Sequence, residues 1–478
     1  MKKIKIGVLG GFRGNTMIQW CIRYPKEAEV VAVCDYNIDV ISKLRSEMKS
    51  QNYTVALYEN FDDFLCHDMD AVVLANYANE HAPFAVRCLE KGLHVLSEVL
   101  PVQTLSEAVK LVEAVEKSGK KYVYAENYCY FPATAEMRRL YKSGELGEFE
   151  FGEGEYLHDC ESIWPQITYG DPDHWRNNTH SLYYSTHSAG PLIHITGLRP
   201  VKVTGFELPF NAKMARMGAK QGSGGIEMIT LENGAVIRSM HGQLYQNSVW
   251  YCIYGSKGAA ESSRENMQNS GYTRTIHVVK EANGTRHWAH YSPVPYGEAR
   301  EGCFGKYGED IYTVKTAPEK TNENENFGHA GSDYYVMKNF LKALRGEKAD
   351  IIDVYEALDM AFTGLFGYFS VLAGGKPMDI PDFRVPAQRN KYRNDNRCTD
   401  PKVAGDQLIP SYSKGIPRFR SKTTNEFEDF SRKVKKIRWF KCNGMREIIR
   451  LKRQRTVVFP MQKKALTQHS TLKPFGSR

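Results

Sequence analysis

The sequence lacks the features that mark secreted, membrane-bound or zinc-stabilised proteins. No long apolar run follows the opening Met1-Lys2-Lys3-Ile4, so we expect neither a signal peptide nor a membrane span. The 10 cysteines are scattered singly, without a C-x-x-C pair, which is typical of reduced thiols in a cytoplasmic protein. A composition of 42% hydrophobic and 25% charged residues indicates a globular chain with a sizeable core.

Acidic residues are scarce only near the C-terminal end. Residues 416–478 hold 18 Lys and Arg against 4 Asp and Glu, whereas the rest of the chain holds 46 basic and 51 acidic residues. The overall charge of +9 therefore comes from the tail. A basic arm can bind nucleic acid. No nucleic-acid motif accompanies the charge, so a solvated extension, poorly ordered from about residue 416, is the preferred interpretation and nucleic acid is not an expected partner.

Short apolar runs alternate with helical stretches over the first 126 residues. The runs are Ile4–Leu9, Val30–Cys34, Ala71–Ala75, His94–Ser97 and Tyr122–Ala125. Near-continuous apolar strands joined by helical crossovers indicate a doubly wound parallel sheet. Thr104, three residues before Glu107, predicts a capping box, and Gly119 is expected to end that helix. We therefore predict an α/β Rossmann domain over residues 1–126.

From residue 148 onward, strand-like runs follow one another without intervening helices. They lie around Phe149–Tyr156, Val201–Leu208, Glu227–Leu231, Ala235–Met240 and Ser248–Tyr254. Two helices are expected later, at about Asp333–Leu344 and Val354–Leu372. This order predicts an α+β domain with an open, mostly antiparallel sheet over residues 127–385. Residues 386–478 are assigned to a C-terminal extension.

The first apolar run leads directly into the turn Gly10-Gly11-Phe12-Arg13-Gly14. Glycines at such a turn let the backbone approach a pyrophosphate, whose charge is met by the N-terminus of the next helix. The spacing departs from G-x-G-x-x-G, but Asp35 ends the second run about twenty residues later. A carboxylate there binds the ribose hydroxyls and repels a 2′-phosphate, which favours NAD over NADP. The plainer alternative is that Asp35 only begins a turn before Asn37.

Six segments of residues 1–385 together form a recognisable pattern. They are Ile6–Gly10, Asp35, Asn79–His81, Gly92–Glu98, Gly154–Asp159 and Ile380–Phe383. In this pattern the chain resembles the Gfo/Idh/MocA family of NAD(P)-dependent sugar and inositol oxidoreductases. The resemblance implies hydride transfer between NAD and a small carbohydrate or polyol. It also implies a homodimer or homotetramer formed through the second domain.

Two departures from the family pattern point to one branch of it. The family's dehydrogenases usually have Glu-Lys-Pro, whose lysine helps in proton transfer, whereas this chain has Val99 after Glu98. Tyr183 replaces the aspartate that usually stands four residues before the histidine matched by His187. With these departures the chain is similar to the NAD-dependent α-N-acetylgalactosaminidases and related glycosidases. The segments that carry this similarity are Tyr184–Pro191, Glu126-Asn127 with Tyr130, and Gly328–Asp333.

The site residues are assigned from this resemblance and from the chemistry of the side chains. The expected cofactor contacts are Gly10, Gly11, Phe12, Arg13, Gly14, Asp35, Asn76, His81, Glu98 and Asn127. The expected catalytic residues are His187, Tyr184 and Tyr130, and the expected substrate contacts are His158, Trp175 and Arg176. A histidine suits reversible transfer of a hydroxyl proton, and packing is the alternative role for each aromatic residue. No metal is expected, because no carboxylate or cysteine at short spacing completes a set with His187 and His194.

Three functions remain open from the sequence. The first is an NAD-dependent dehydrogenase of a sugar, inositol or glycoside. The second is an NAD-dependent glycosidase that oxidises, eliminates and re-reduces its substrate, which Val99 favours. The third is a non-enzymatic nucleotide-binding regulator, for which the basic tail is the only support.

Overall fold

The computed structural model describes residues 3–263, 276–282, 284–291, 305–306, 327–329 and 331–415. The basic tail from residue 416 and Ala330 of the Gly328–Asp333 motif lie outside the described residues. None of the helices within these ranges is both long enough and apolar enough to span a membrane.

The N-terminal part is a six-stranded sheet in which every neighbouring pair is parallel. Its strands are β1 (Ile4–Leu9), β2 (Ala28–Cys34), β3 (Ala56–Tyr58), β4 (Ala71–Leu74), β5 (His94–Ser97) and β6 (Tyr122–Tyr124). The helices among them are α1 (Asn15–Arg23), α2 (Ile38–Ser50), α3 (Phe61–Leu65), α4 (His81–Glu90) and α5 (Leu105–Ser118). The strand order β3-β2-β1-β4-β5-β6 is that of a Rossmann fold, which confirms the predicted class.

The local signals of the sequence account for most of these elements. The capping box of α5 is present, with the Thr104 hydroxyl accepting from the Glu107 amide at 3.1 Å, and Gly119 ends the helix with a φ of +64°. β3 has no counterpart among the predicted runs. It is a half-buried edge strand of only three residues, too short to show a periodic pattern.

The second part begins with α6 (Pro132–Lys142) and is organised around a ten-stranded sheet. Its strands are β7 (Phe149–Leu157), β8 (Pro200–Glu207), β9 (Gly224–Leu231), β10 (Val236–Gly242), β11 (Ser248–Gly255), β12 (Gly258–Ser262), β13 (Ile276–Ala282), β14 (Thr285–Tyr291), β15 (Gly305–Lys306) and β16 (Met378–Asp379). The order is β15-β14-β13-β12-β11-β7-β10-β9-β8-β16. Of the described pairs only β7 and β10 run parallel, so the predicted open, mostly antiparallel sheet is confirmed.

Two long buried helices cover one face of this sheet. The helices of this part are α7 (Trp164–Ile167), α8 (Thr186–Thr196), α9 (Ala212–Met217), α10 (Ser332–Leu344), α11 (Val354–Leu372), α12 (Pro386–Arg389) and α13 (Pro401–Ala404). A Cβ on Gly154 of β7 would lie 1.8 Å from the Ser188 carbonyl oxygen, and one on Gly205 of β8 would lie 2.1 Å from that of Gly367. Glycine therefore lets α8 and α11 pack directly on the sheet.

Residues 386–415, which the sequence assigns to an extension, are folded against both domains. The Arg389 guanidinium pairs with Glu116 of α5 at 2.5 Å. The Ser411 hydroxyl donates to the Asn178 carbonyl at 2.7 Å, and the Tyr368 hydroxyl of α11 donates to the Pro410 carbonyl at 2.5 Å. This segment, which we call the C-terminal strap (residues 386–415), ties the Rossmann domain to the second domain.

Candidate active site

The glycine turn after β1 has a backbone that only glycine can adopt. Gly10 has a φ of +92°, and a Cβ there would lie 2.3 Å from the Ala75 carbonyl oxygen. A Cβ on Gly14 would lie 2.4 Å from the Gly10 carbonyl oxygen. α1 begins directly after Gly14 without a side-chain cap and with no acidic residue in its first turn. Its first amides can therefore receive a pyrophosphate.

Asp35 lies immediately after β2, beside this turn. Its carboxylate accepts from the Gly11 amide at 2.7 Å and from the Asn37 amide at 2.8 Å. Burial raises the pKa of Asp35, against the lowering effect of these two hydrogen bonds. Phe12 and Tyr36 flank the turn with 73% and 57% of their surface exposed. An acidic acceptor between a glycine turn and exposed rings fits the adenosine half of NAD.

Arg13 of the turn reaches the second domain instead of the solvent. Its guanidinium donates two hydrogen bonds of 2.9 Å to Asp333 at the start of α10, and it pairs with Glu98 at 2.7 Å. The same Asp333 carboxylate accepts from the Asn127 amide at 2.9 Å and contacts His329 Nδ1 at 3.1 Å. We call these five side chains the Arg13 network. Two of the expected cofactor contacts, Arg13 and Glu98, are thus bonded to each other.

The charges of the Arg13 network are strongly coupled. Burial acts to raise the pKa of Asp333, but Arg13 and His329 lower it by more, so the net pKa lies well below the ordinary aspartate value. Burial dominates at Glu98 and raises its pKa, although Arg13 opposes the shift. Asp333 is therefore the permanent counter-ion of Arg13.

Glu126 and His187 form a buried pair at the carboxyl edge of the Rossmann sheet. Glu126 follows β6 and has no exposed surface, and His187 lies in the first turn of α8 with 7% exposed. Oε1 of Glu126 lies 2.8 Å from His187 Nδ1, and the Thr186 hydroxyl donates to Oε2 at 3.0 Å. Because the carboxylate accepts the Nδ1 proton, Nε2 of the imidazole is left as a proton acceptor.

Aromatic rings surround this imidazole. The ring centroids of Tyr128, Tyr156 and Tyr184 lie 4.4, 4.7 and 5.8 Å from that of His187. Arg176 donates from Nη1 to the Tyr184 hydroxyl at 2.9 Å. Burial raises the pKa of Tyr184 and Arg176 opposes the shift, so this tyrosine keeps its proton at neutral pH and can act as an acid.

Two further histidines lie beside the same rings. His158 Nδ1 is 2.9 Å from the Tyr156 hydroxyl, and His241 stacks on the Tyr156 ring at 5.6 Å. Burial lowers the pKa of His158 and brings that of His241 to about 4. Both imidazoles are therefore neutral at pH 7 and can accept protons. Trp175 packs below Arg176, whose guanidinium carbon lies 4.7 Å from the Trp175 ring.

The structure does not bring Tyr130 to the His187 cluster, which consists of His187, Glu126, Tyr128, Tyr156, Tyr184, His158 and His241. Its hydroxyl donates to the Asp350 carbonyl at 3.0 Å, and its ring lies 5.7 Å from His194. His194 contacts Glu356 at 2.8 Å and is separated from His187 along the buried α8. In the 3-10 helix Asn127–Tyr130, Tyr128 is the tyrosine that contacts His187.

Two other expected cofactor contacts lie near the turn with different partners. His81 is 1% exposed, and its Nδ1 contacts the Leu100 carbonyl at 2.8 Å. Burial lowers the pKa of His81 to about 4, so it is a neutral support for the segment after β5. Asn76 follows β4, and its backbone amide would lie 2.5 Å from a Cβ on Gly10. It therefore borders the glycine turn directly.

Sequence reasoning missed Glu126, Tyr128, Tyr156 and His241 as members of the cluster. Glu126 and Tyr128 follow β6, and Tyr156 and His241 lie near the carboxyl ends of β7 and β10. A glutamate directly after the apolar β6 was the available signal, since open α/β sheets bind ligands at that edge. Among the residues that the structure describes, no group of three metal-ligating side chains comes together.

This fold and this site define an NAD-dependent enzyme built from a Rossmann domain and an open-sheet domain. Residues 4–126 match the model of the oxidoreductase family with an NAD-binding Rossmann fold, GFO_IDH_MocA. Residues 207–390 match the model of the glycosyl hydrolase 109 C-terminal domain. The chain thus has an N-terminal domain of the Gfo/Idh/MocA oxidoreductase type and a C-terminal domain of the glycosyl hydrolase 109 type.

Individual relatives agree with both matches. Glycosyl hydrolase family 109 protein 1 of Bacteroides fragilis is 24% identical over 402 residues, which cover 80% of this chain and 85% of that protein. A levoglucosan dehydrogenase crystallised with NADH and L-sorbose has a TM-score of 0.61 at 17% identity, and an oxidoreductase domain protein from Kribbella flavida has 0.60 at 18%. Each of these two similarities covers 80% of this chain and 100% of the solved chain. At 17% and 18% identity these solved structures are evidence for the fold alone.

Proposed function

We propose that the protein is an NAD-dependent glycosidase that oxidises, eliminates and re-reduces a glycoside. The observation that carries the proposal is the buried Glu126–His187 pair enclosed by tyrosines, which supplies acid and base groups in a chain where Val99 replaces the usual lysine. The matched glycosyl hydrolase 109 domain supports the same chemistry.

When bound, NAD would accept a hydride from a sugar carbon and return it after cleavage. His187 Nε2 accepts the proton of the hydroxyl group on that carbon, and Glu126 stabilises the resulting imidazolium. Oxidation of C3 makes the C2 proton acidic, and we assign the neutral His158 as its acceptor. The electron pair of the C2–H bond then forms the C1–C2 double bond while the C1–O bond breaks. Tyr184, held by Arg176, donates its proton to the leaving oxygen.

The remaining steps restore the sugar and the protein. Water adds to C1 and gives its proton to the Tyr184 phenolate, while His158 returns a proton to C2, so that the double bond is hydrated without net oxidation. His187 then gives its proton back to the C3 oxygen as that carbon is reduced. No carboxylate pair flanking the glycosidic bond is needed, in contrast with ordinary glycosidases.

A deuterium experiment tests this route. A panel of p-nitrophenyl α- and β-glycosides is incubated with NAD-loaded protein in D2O while nitrophenol and NADH are recorded together. We expect nitrophenol release without accumulating NADH, and one deuterium at C2 of the released sugar. Hydrolysis by NAD-stripped protein without deuterium at C2 would refute the proposal.

The second candidate function is a simple NAD-dependent dehydrogenase. The same His187 and the same dinucleotide site suffice for hydride and proton transfer without elimination, which is the specific observation in its favour. In the same assay a dehydrogenase accumulates NADH in proportion to the sugar consumed and releases no aglycone.

The assembly and the location are also part of the proposal. We propose a homodimer or homotetramer, since Phe206, Met228 and Tyr254 on the sheet strands of the second domain are 52%, 38% and 46% exposed. Apolar surface of this kind is buried in oligomers. A monodisperse monomer in light scattering would contradict it. The eight described cysteines are free thiols, seven of them buried, which supports a cytoplasmic location.

A further inference from the structure

An open pocket lies next to the His187 cluster, where β7 and β10 end. Its volume is about 460 Å³, and it is lined by Asp159, Glu161, Ser162, Tyr245 and Asn247. None of these residues takes part in the reaction proposed above. The pocket therefore needs a separate explanation.

β7 leads from the reacting groups straight into this pocket. Tyr156 packs on His187 at 4.7 Å, and Asp159 lines the pocket three residues further along the chain. Three residues span at most about 11 Å. His158 stands between Tyr156 and Asp159 in the chain, and its Nδ1 contacts the Tyr156 hydroxyl at 2.9 Å. The pocket therefore begins within about 11 Å of Tyr156, near enough to the reacting groups to receive the second ring of a disaccharide.

The loop after β10 presents an aromatic ring to this pocket. Tyr245 is 93% exposed, yet the loop that bears it is fastened on both sides. Asn247 Oδ1 accepts from the Asp159 amide at 2.7 Å, and Lys213 Nζ donates to the Leu244 carbonyl at 3.1 Å. Because the backbone of this loop is fastened, a ligand that covers the Tyr245 ring has only the side chain to order, which keeps the loss of conformational entropy small.

We propose that this pocket binds the leaving-group sugar of an oligosaccharide, with a pyranose ring packed on Tyr245. The apolar C–H face of a sugar suits an aromatic ring, while Asn247 and the carboxylates of Asp159 and Glu161 bond to its hydroxyls. This assignment rests on the proposed glycosidase function and names its substrate class. The preferred substrate is then a di- or oligosaccharide, and a glycoside with a small aglycone leaves this pocket empty.

The charges of the lining select the kind of sugar. Asp159 pairs with Lys213 at 2.5 Å, and Glu161 pairs with Arg216 at 2.8 Å. These four side chains have no net charge. The pocket therefore favours a neutral sugar ring over a uronic acid or a phosphorylated sugar.

The test compares two substrates that differ only in the second ring. Methyl glycosides are assayed beside disaccharides with the same non-reducing sugar. For Tyr245→Ala we expect kcat/KM to fall about tenfold on the disaccharide, equivalent to about 1.4 kcal/mol, and to change less than twofold on the methyl glycoside. Tyr245→Phe should retain the wild-type preference. The matched control is Tyr254→Ala, an exposed tyrosine of β11 opposite Phe151 at the other end of β7. Light scattering checks that each variant keeps the assembly of the wild type.

A binding measurement separates this inference from the proposed function. Saturation-transfer NMR on the NAD-loaded protein should show contact with the reducing-end ring of the disaccharide, and Tyr245→Ala should abolish it. If no substrate is turned over, the glycosidase proposal fails, and this contact alone decides about the pocket. Equal losses on both substrates, or no contact with the reducing-end ring, would overturn the inference.

Discussion

Asp333 holds the Arg13 network together, and its neutralisation should destabilise the whole protein. Its side chain is 1% exposed and receives two hydrogen bonds from Arg13 and one from Asn127, each of 2.9 Å. Removing one partner of a buried ion pair costs about 3–5 kcal/mol, because the other charge stays buried without compensation. Glu98 still faces Arg13 at 2.7 Å. We therefore expect Asp333→Asn to lower the free energy of unfolding by about 3 kcal/mol, at the lower end of that range.

Urea denaturation followed by tryptophan fluorescence measures this loss. The matched control is Asp379→Asn, which removes a charge that is 87% exposed and lies 3.5 Å from Lys202; its cost should stay below about 1 kcal/mol. Arg13→Met and the double variant complete a thermodynamic cycle. The double variant should lose clearly less than the sum of the two single losses, since the uncompensated charges disappear together. Additive losses, or an Asp333→Asn effect no larger than the control, would refute the reasoning.

The pH dependence has a definite sign. Since the pKa of Asp333 in the folded protein lies well below its ordinary value, its contribution to stability is complete above the unfolded-state pKa, about 3.9. It is lost as the pH falls below that value towards the folded-state pKa. The difference in unfolding free energy between wild type and Asp333→Asn should therefore shrink as the pH falls below about 4.

Three other substitutions test the site and the strap. Glu126→Gln keeps the shape but removes the charge behind His187, so kcat for aglycone release should fall about 10²- to 10⁴-fold with the fold intact by circular dichroism; an unchanged kcat would contradict the pairing. Asp35→Asn should weaken NAD binding about tenfold in calorimetry and reduce the preference for NAD over NADP. Equal NAD affinities of the wild type and the variant would contradict this role of Asp35. Arg389→Leu should lower the unfolding free energy of the NAD-loaded protein by about 1.5–3 kcal/mol, the value of hydrogen bonds to a charged group, whereas Arg393→Leu on the exposed strap surface should cost below about 1 kcal/mol. Equal losses would show that the strap does not stabilise the protein through Arg389.

The parts of the fold that could be predicted are those that depend on residues close together in the sequence. The capping box at Thr104 and the glycine turn at Gly10 depend on neighbouring residues, and both stand where the sequence predicts them. Asp35 is at the predicted strand end for the same reason. The strap could not be predicted, because its short helices and turns show no periodicity and its order depends on partners such as Glu116, more than 250 residues earlier.

The candidate site was predictable in its location and less so in its membership. The choice between Tyr128 and Tyr130 depends on which way a four-residue 3-10 helix faces, and no periodic pattern exists over such a length. The contact of Arg13 with Asp333 joins residues 320 positions apart. From the sequence alone, an arginine in a glycine turn is interpreted as a ligand of the cofactor phosphates. Only the fold reveals that two carboxylates hold it.

The dipeptide Glu126-Asn127 joins the two halves of the proposed chemistry. Glu126 bonds to His187, the proposed base, while its neighbour Asn127 bonds to Asp333 and through it to Arg13 of the glycine turn. The glycine turn and the proposed base are therefore both held in place by the same two-residue backbone segment. Hydride transfer depends on the spacing between cofactor and base, and a displacement of about 1 Å can cost a factor of 10² in rate. We therefore infer that the Arg13 network serves alignment as well as stability, because its buried charges fix the cofactor loop relative to His187.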